Sequence, residues 1–159
     1  MTRQSTFRKV GAGRTIAVVG DVYRLLATGE ETDGRYALIE ALVPPGGGPP
    51  PHAHTREEEG FYILEGEIRV TIDGVPSVAR AGEFVNLPVG SLHSFTNATD
   101  KPAKMLMTLA PAGIEKMFIE IGRPLAPGAT TSPPPTRDEI EKLPAVAARY
   151  GIKLALPAN

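Results

Sequence analysis

The sequence predicts an all-β fold with a short helical C-terminal extension, and three observations carry that expectation. Apolar or β-branched runs recur about nine times at intervals of roughly ten residues, the spacing of a sandwich or closed barrel. Glycine and proline are over-represented, with 17 and 16 among 159 residues, and they cut the chain into short pieces. Within one run, Glu67, Arg69 and Thr71 alternate with Ile68, Val70 and Ile72, the pattern of a half-buried strand. The length predicts a single domain over 1–159, with a barrel core over about 15–110 and a tail over 111–159.

Taken in order, Thr15–Val19 and Val22–Thr28 are parted by Gly20-Asp21 and closed by Gly29, which predicts two strands joined by a turn. Arg35–Val43 predicts the next strand, ended by Pro44-Pro45 and Gly46–Gly48. Gly60–Leu64 and Glu67–Ile72 flank Glu65-Gly66, a hairpin signal, and Asp73-Gly74 marks the following turn. Glu83–Leu87, Leu92–Asn97 and Ala103–Leu109 continue the series, separated by Pro88-Val89-Gly90 and Asp100-Lys101-Pro102.

After Pro111 the period changes. Ile114–Ile121 places Ile114, Met117, Phe118 and Ile121 on one face of a short helix. The Pro/Gly/Ser/Thr stretch 123–135 predicts extended chain, either mobile or draped over the surface. Thr136 and Glu139 have capping-box spacing and open a further helix. Pro144 is expected to break it or to begin a second one, and Gly151 to end it. The tail reads as an appendage on the barrel or on a partner subunit.

Composition excludes several classes. Seventeen basic against eighteen acidic residues leave a net charge of −1, which gives no electrostatic argument for nucleic acid or an anionic membrane. There is no cysteine, so disulfides, thiolate metal sites and cysteine nucleophiles are excluded. No Gly-x-Ser-x-Gly occurs. The N-terminus, from Met1 to Lys9, is polar and lacks a signal-peptide core, and no run reaches the roughly 18 apolar residues of a membrane helix. A cytoplasmic location is expected.

Only three histidines occur, His52, His54 and His93, and the carboxylates Glu57, Glu58 and Glu59 lie close to the first two. Imidazole is the most versatile neutral-pH metal ligand. Three imidazoles with one carboxylate make a donor set for one divalent transition metal ion: iron, manganese, nickel, cobalt, copper or zinc. On a strand, residues two apart point to one face, so His52 and His54 can converge on one ion. Prolines at 49, 50 and 51 stiffen the approach to His52.

Two motifs carry a family likeness. G-x5-H-x-H-x4-E-x6-G is met by Gly46, His52, His54, Glu59 and Gly66, and G-x5-P-x-G-x2-H-x3-N by Gly82, Pro88, Gly90, His93 and Asn97. These resemble the paired motifs of the cupin superfamily over about Arg35 to Leu109. Pro111–Phe118 and the later Ala148–Ile152 are similar to the ending of small single-domain bacterial cupins of the quercetin dioxygenase-like kind. The resemblance implies a jelly-roll β-barrel and metal ligands His52, His54, Glu59 and His93. Glu59 is selected from the three glutamates by its distance to Gly66, and the resemblance implies that it can double as a catalytic base. The other two glutamates are expected to face solvent or to back the ligands.

Glu59 shares strand parity with Phe61 and Ile63, and His93 with Phe95 and Asn97, so the wall near the metal is expected to be apolar. Phe61, Ile63, Phe95, Met105 and Met107 are the candidate substrate-pocket residues. Tyr62 and Leu64 face the other way and are also apolar, which predicts cover from the N-terminal strands or a second subunit; a homodimer is expected. The first functional expectation is a metal-dependent dioxygenase-like enzyme acting on a small organic substrate such as an aromatic enediol. The alternatives are a non-redox isomerase, epimerase or lyase, and a non-catalytic small-ligand-binding protein.

Overall fold

A computed structural model describes residues 4–155. The first residues of the polar N-terminus, 1–3, and the end of the tail, 156–159, lie outside the described residues. In chain order the elements are β1 (Arg14–Val18), β2 (Asp21–Ala27), α1 (Gly29–Thr32), β3 (Ala37–Val43), β4 (His52–His54), β5 (Glu58–Glu65), β6 (Glu67–Ile72) and β7 (Val75–Arg80). They continue with β8 (Phe84–Leu87), β9 (His93–Thr96), β10 (Ala103–Ala110), α2 (Ile114–Ile121), β11 (Arg123–Pro124), α3 (Arg137–Arg149) and β12 (Ile152–Leu154). The strands form two antiparallel sheets, β11-β1-β2-β3-β10-β5-β8 and β12-β4-β9-β6-β7. This is the expected all-β jelly roll with a helical extension.

The core lies between the sheets because each inner strand alternates. On β10, Ala103, Met105, Met107 and Leu109 are buried while the residues between them are more exposed. Ile16, Leu25, Ile39, Phe61 and Ile63 from the first sheet meet Ile68, Val70 and Phe95 from the second. Phe61 and Phe95 touch edge to face across the sandwich, with ring centroids 5.2 Å apart.

Several expectations shift. The β1–β2 turn is Val19-Gly20, both at positive φ (48° and 96°), with Val18 paired to Asp21. This is the two-residue hairpin geometry whose twist matches its strands. Asp21 is therefore a strand residue, not a turn residue, and it is buried. β7 was not expected, because Pro76 and Ser77 break its apolar pattern. It occupies a sheet edge, where proline is tolerated.

The tail is less of an appendage than predicted. β11 pairs with β1, and β12 pairs with β4, so the tail extends both sheets. The stretch 123–135 is draped over the surface: Arg24 Nη2 donates to the Ala129 carbonyl at 3.2 Å, and Arg123 Nη2 to the Pro134 carbonyl at 2.9 Å. Pro144 does not break α3, which runs through it. Its missing N–H leaves the Ile140 carbonyl without its helical partner, but both residues lie on the exposed side, where water can bond that oxygen.

The N-terminal strands do not cover Tyr62 and Leu64; they lengthen the same sheet. Both side chains stay open, at 42% and 37% exposure. Among the described residues, no helix is long and apolar enough to cross a membrane.

Candidate metal centre

The three histidines come from one sheet and the glutamate from the other. His52 and His54 alternate inward on β4, and His52 is the cross-strand partner of His93 on β9. Glu59 lies on β5, facing them across the sandwich. One ligand atom from each of the four residues falls within 4.8 Å of all the others, and all four side chains are buried. The imidazole rings sit 4.4 to 5.5 Å apart, with His54 and His93 parallel to within 3°.

Backbone carbonyls orient two of the rings. His52 Nδ1 lies 2.9 Å from the Pro50 carbonyl and His93 Nδ1 lies 3.0 Å from the Ser91 carbonyl. A carbonyl only accepts, so each Nδ1 donates to its carbonyl, and Nε2 is the nitrogen that faces the cluster and would bind an ion once it carries no proton. His93 Nε2 lies 2.9 Å from Glu59 Oε2, and His54 Nε2 lies 3.2 Å from the same oxygen.

His54 is held by a carboxylate at either end. Its Nδ1 lies 3.5 Å from Glu57 Oε2, and neither ring nitrogen has a partner in hydrogen-bonding geometry. Burial lowers the His54 pKa, but the proximity and charge of Glu57 and Glu59 outweigh it and raise the value to about 9. Burial works to raise Glu59, and its contacts with His54 and His93 and the charges of His54 and His52 bring it down to about 2. His52 is lowered to about 4, chiefly by burial, with Glu59 pulling upward and the other imidazoles downward.

The donors suit a divalent ion. Four ligand atoms about 2.0–2.2 Å from a common ion are roughly 3–4.3 Å from each other, close to what the cluster offers. The unpartnered buried Nε2 of His54 is an atom such an ion would satisfy, while Nδ1 faces Glu57. Glu57 is buried at 1% exposure and lies 3.2 Å from Arg56 Nη2; it stands on the Nδ1 side of His54, the side from which a carboxylate orients a metal-bound imidazole. Glu58 turns outward and accepts from Asn86 Nδ2 at 2.6 Å.

The motif residues outside the donor set hold backbone. Gly90 N–H donates to the His54 carbonyl at 2.9 Å. Asn97 is wholly buried; its Nδ2 donates to the Val43 and Lys101 carbonyls, and its backbone bonds to Gly46 and Gly47. That pins the glycine loop leading to His52.

A cavity opens beside His52, His54 and Glu59. Of the expected pocket residues, Phe95 and Met107 line it, whereas Phe61, Ile63 and Met105 lie in the closed core and do not. The pleat puts all five on inward faces, but Phe61, Ile63 and Met105 are wholly buried in the core cluster. Sequence reasoning missed Asp21 and Tyr23 on β2, and the wall built by the tail from Phe118, Ile121, Leu143, Ala147 and Ile152. For Asp21 the only signal, its place after Gly20, was one of a turn. For the tail, the apolar face of α2 was legible but not what it covered. Tyr23 packs edge-on against Phe118 at 5.0 Å; burial, then the charges of Asp21 and Glu59, push its hydroxyl well above its ordinary value of 10.0.

The cupin-domain family model matches residues 39–109. Protein SchB of Streptomyces halstedii is 34% identical over 94 residues, covering 58% of this chain and 67% of that protein. Quercetin 2,3-dioxygenase of Bacillus subtilis is 28% identical over 114 residues, 72% of this chain but 34% of the enzyme, so the chain spans about a third of that relative's length. Among solved structures, a sugar phosphate isomerase of the cupin superfamily from Silicibacter pomeroyi aligns with a TM-score of 0.57 at 18% identity, covering 66% of this chain and 75% of that one. With both motifs in place around four converging donors, the chain belongs to the cupin family.

Proposed function

We propose that this cupin is a metal-dependent, dioxygenase-like enzyme acting on a small organic substrate, with aromatic enediols as the leading class. The observation that carries the reading is the His52–His54–Glu59–His93 cluster at the end of a cavity whose remaining wall is mostly apolar. The likeness to quercetin 2,3-dioxygenase supports it. Among the described residues no lysine or arginine lines the cavity, which gives a phosphorylated substrate no guanidinium or ammonium partner there and weighs against a sugar phosphate.

The three imidazoles and Glu59 would hold the ion, which when bound supplies Lewis acidity and, for iron, copper or manganese, redox chemistry. The chain's own contributions are distinct from that. Phe95, Met107 and Phe118 exclude water and accommodate an apolar ring. Glu59 accepts the proton of a substrate hydroxyl. Both of its imidazole contacts use Oε2, so Oε1 is the atom left for that transfer.

Elemental analysis of protein purified without added metal, followed by oxygen-electrode assays with quercetin and catechol, tests the reading. Oxygen uptake dependent on iron, copper or manganese is expected. Full metal occupancy with no uptake across an enediol panel would overturn it and favour a non-redox isomerase or lyase. His93→Ala is expected to lose most bound metal, and retained stoichiometry in that variant would sink the ligand assignment.

A further inference from the structure

The cavity beside the histidines contains a carboxyl that the metal cluster does not use. Asp21 opens β2 with its side chain inward, only 3% exposed, and its Oδ1 is fully buried without a hydrogen-bond partner. It lines the same cavity as His52, His54 and Glu59, and so does Tyr23, two residues further along the same strand face. Leaving a buried carboxyl oxygen unpaired costs about 1–3 kcal/mol or more. Unpaired buried polar atoms of this kind are a sign of a site whose partner arrives with a ligand.

The surroundings have room for this carboxyl and hold it in place. A Cβ at Gly47 would stand 2.6 Å from Asp21 Oδ1, so the glycine loop closes over Asp21 only because it lacks a side chain. Burial pushes the Asp21 carboxyl up to about 7, against a smaller downward pull from the Gly48 N–H. The ring of Tyr23 is fixed edge-on against Phe118.

We propose that Asp21, with Tyr23 beside it, contacts a hydroxyl or carbonyl oxygen of the substrate while another part of the same molecule reaches the metal cluster. This rests on the proposed function only in placing the substrate in the cavity. It narrows the substrate to a mainly apolar molecule, aromatic or alicyclic, with oxygen functions at two positions and no phosphate. Asp21 would be a specificity-determining residue supplied by the N-terminal hairpin, outside the segment that the cupin-domain match covers.

The test uses zinc-loaded full chain, which does not oxidise catechol, titrated calorimetrically with catechol and with phenol. Asp21→Leu is expected to keep wild-type zinc stoichiometry and melt no lower than wild type at pH 8, while catechol affinity falls about tenfold or more. Asp21→Asn, which still hydrogen-bonds, is expected to recover affinity to within about threefold of wild type. If the leucine variant fails to fold, Asp21→Ala is read in its place.

Unchanged affinity in the apolar variant overturns the proposal. So does a lowered melting temperature with parallel zinc loss, which marks a structural carboxyl, and so does a wild type that binds neither probe at millimolar concentration. Oxygen uptake by the iron-loaded protein is scored separately. Its absence would defeat the oxygenase reading while leaving an Asp21-dependent difference in zinc-protein binding intact.

Discussion

Glu57 shows how one buried side chain can tune a site it does not directly build. It stands behind His54 with 1% exposure, and its neighbour Arg56 supplies the closest opposite charge. Glu57→Gln keeps the volume and removes the charge that orients and enriches the imidazole. Metal affinity is expected to fall about 10–100-fold with stoichiometry intact at saturation, as competition with a chromophoric chelator would read; unchanged affinity would show that Glu57 is only packing. Asp21 makes the opposite contribution to stability. Its pKa is about 7 in the folded chain against 3.8 ordinarily. Between those values the folded state keeps a proton that the unfolded state has released, so stability falls as pH rises through that window. The penalty is at most on the order of 4 kcal/mol and complete above pH 7. Asp21→Asn should therefore match wild type near pH 4 and exceed it near pH 8 in urea unfolding. A gap that does not widen with pH would contradict the buried, unpaired carboxyl.

At the scale of elements, the connection from β3 to β4 is the most constrained segment of the site. Gly48 has φ 126°, and a Cβ there would lie 2.0 Å from the Phe95 carbonyl oxygen on β9. Gly46, at φ 77°, has nothing within 4 Å. Gly48→Ala is expected to cost at least about 3 kcal/mol, a fall of roughly 6–12 °C in melting temperature, while Gly46→Ala costs about 1 kcal/mol. Equal losses would show that backbone strain, not the contact with Phe95, sets the requirement. What was legible in the sequence follows the same division between local and distant causes. α2 runs over Ile114–Ile121 as its apolar face predicts, and Glu59 emerges from three adjacent glutamates through its spacing to Gly66. Those features depend on period and spacing, which the chain carries locally. β12 has no such signal: Ile152–Leu154 becomes a strand only because β4 offers an open edge, and it is invisible without that partner. Pocket membership was equally hidden, since parity gives the face of Phe61 and Phe95 but not their depth between the sheets.

For the molecule as a whole, the donor set is divided between layers. His52, His54 and His93 belong to the sheet β12-β4-β9-β6-β7, and Glu59 belongs to the other sheet. A bound ion would therefore join the two sheets at one end of the sandwich, opposite sides of a core otherwise held by apolar contacts such as Phe61 on Phe95. Folding brings these ligands together and the unfolded chain does not, so metal in excess should stabilise the native state by mass action. At about 100 times the dissociation constant the gain is ~2.7 kcal/mol, which for a chain of 159 residues corresponds to a rise of roughly 5–11 °C in melting temperature. Glu59→Gln should behave differently from a histidine variant of the same site. It leaves three imidazoles on one sheet, so some metal binding survives, but the dissociation constant rises and, at the zinc concentration used for wild type, the thermal gain should shrink accordingly. Calorimetric scans of apo and zinc-loaded protein, wild type against Glu59→Gln, measure this directly. A variant that keeps the full rise at that same zinc concentration would mean that Glu59 adds nothing to the affinity and that the histidine sheet alone holds the ion.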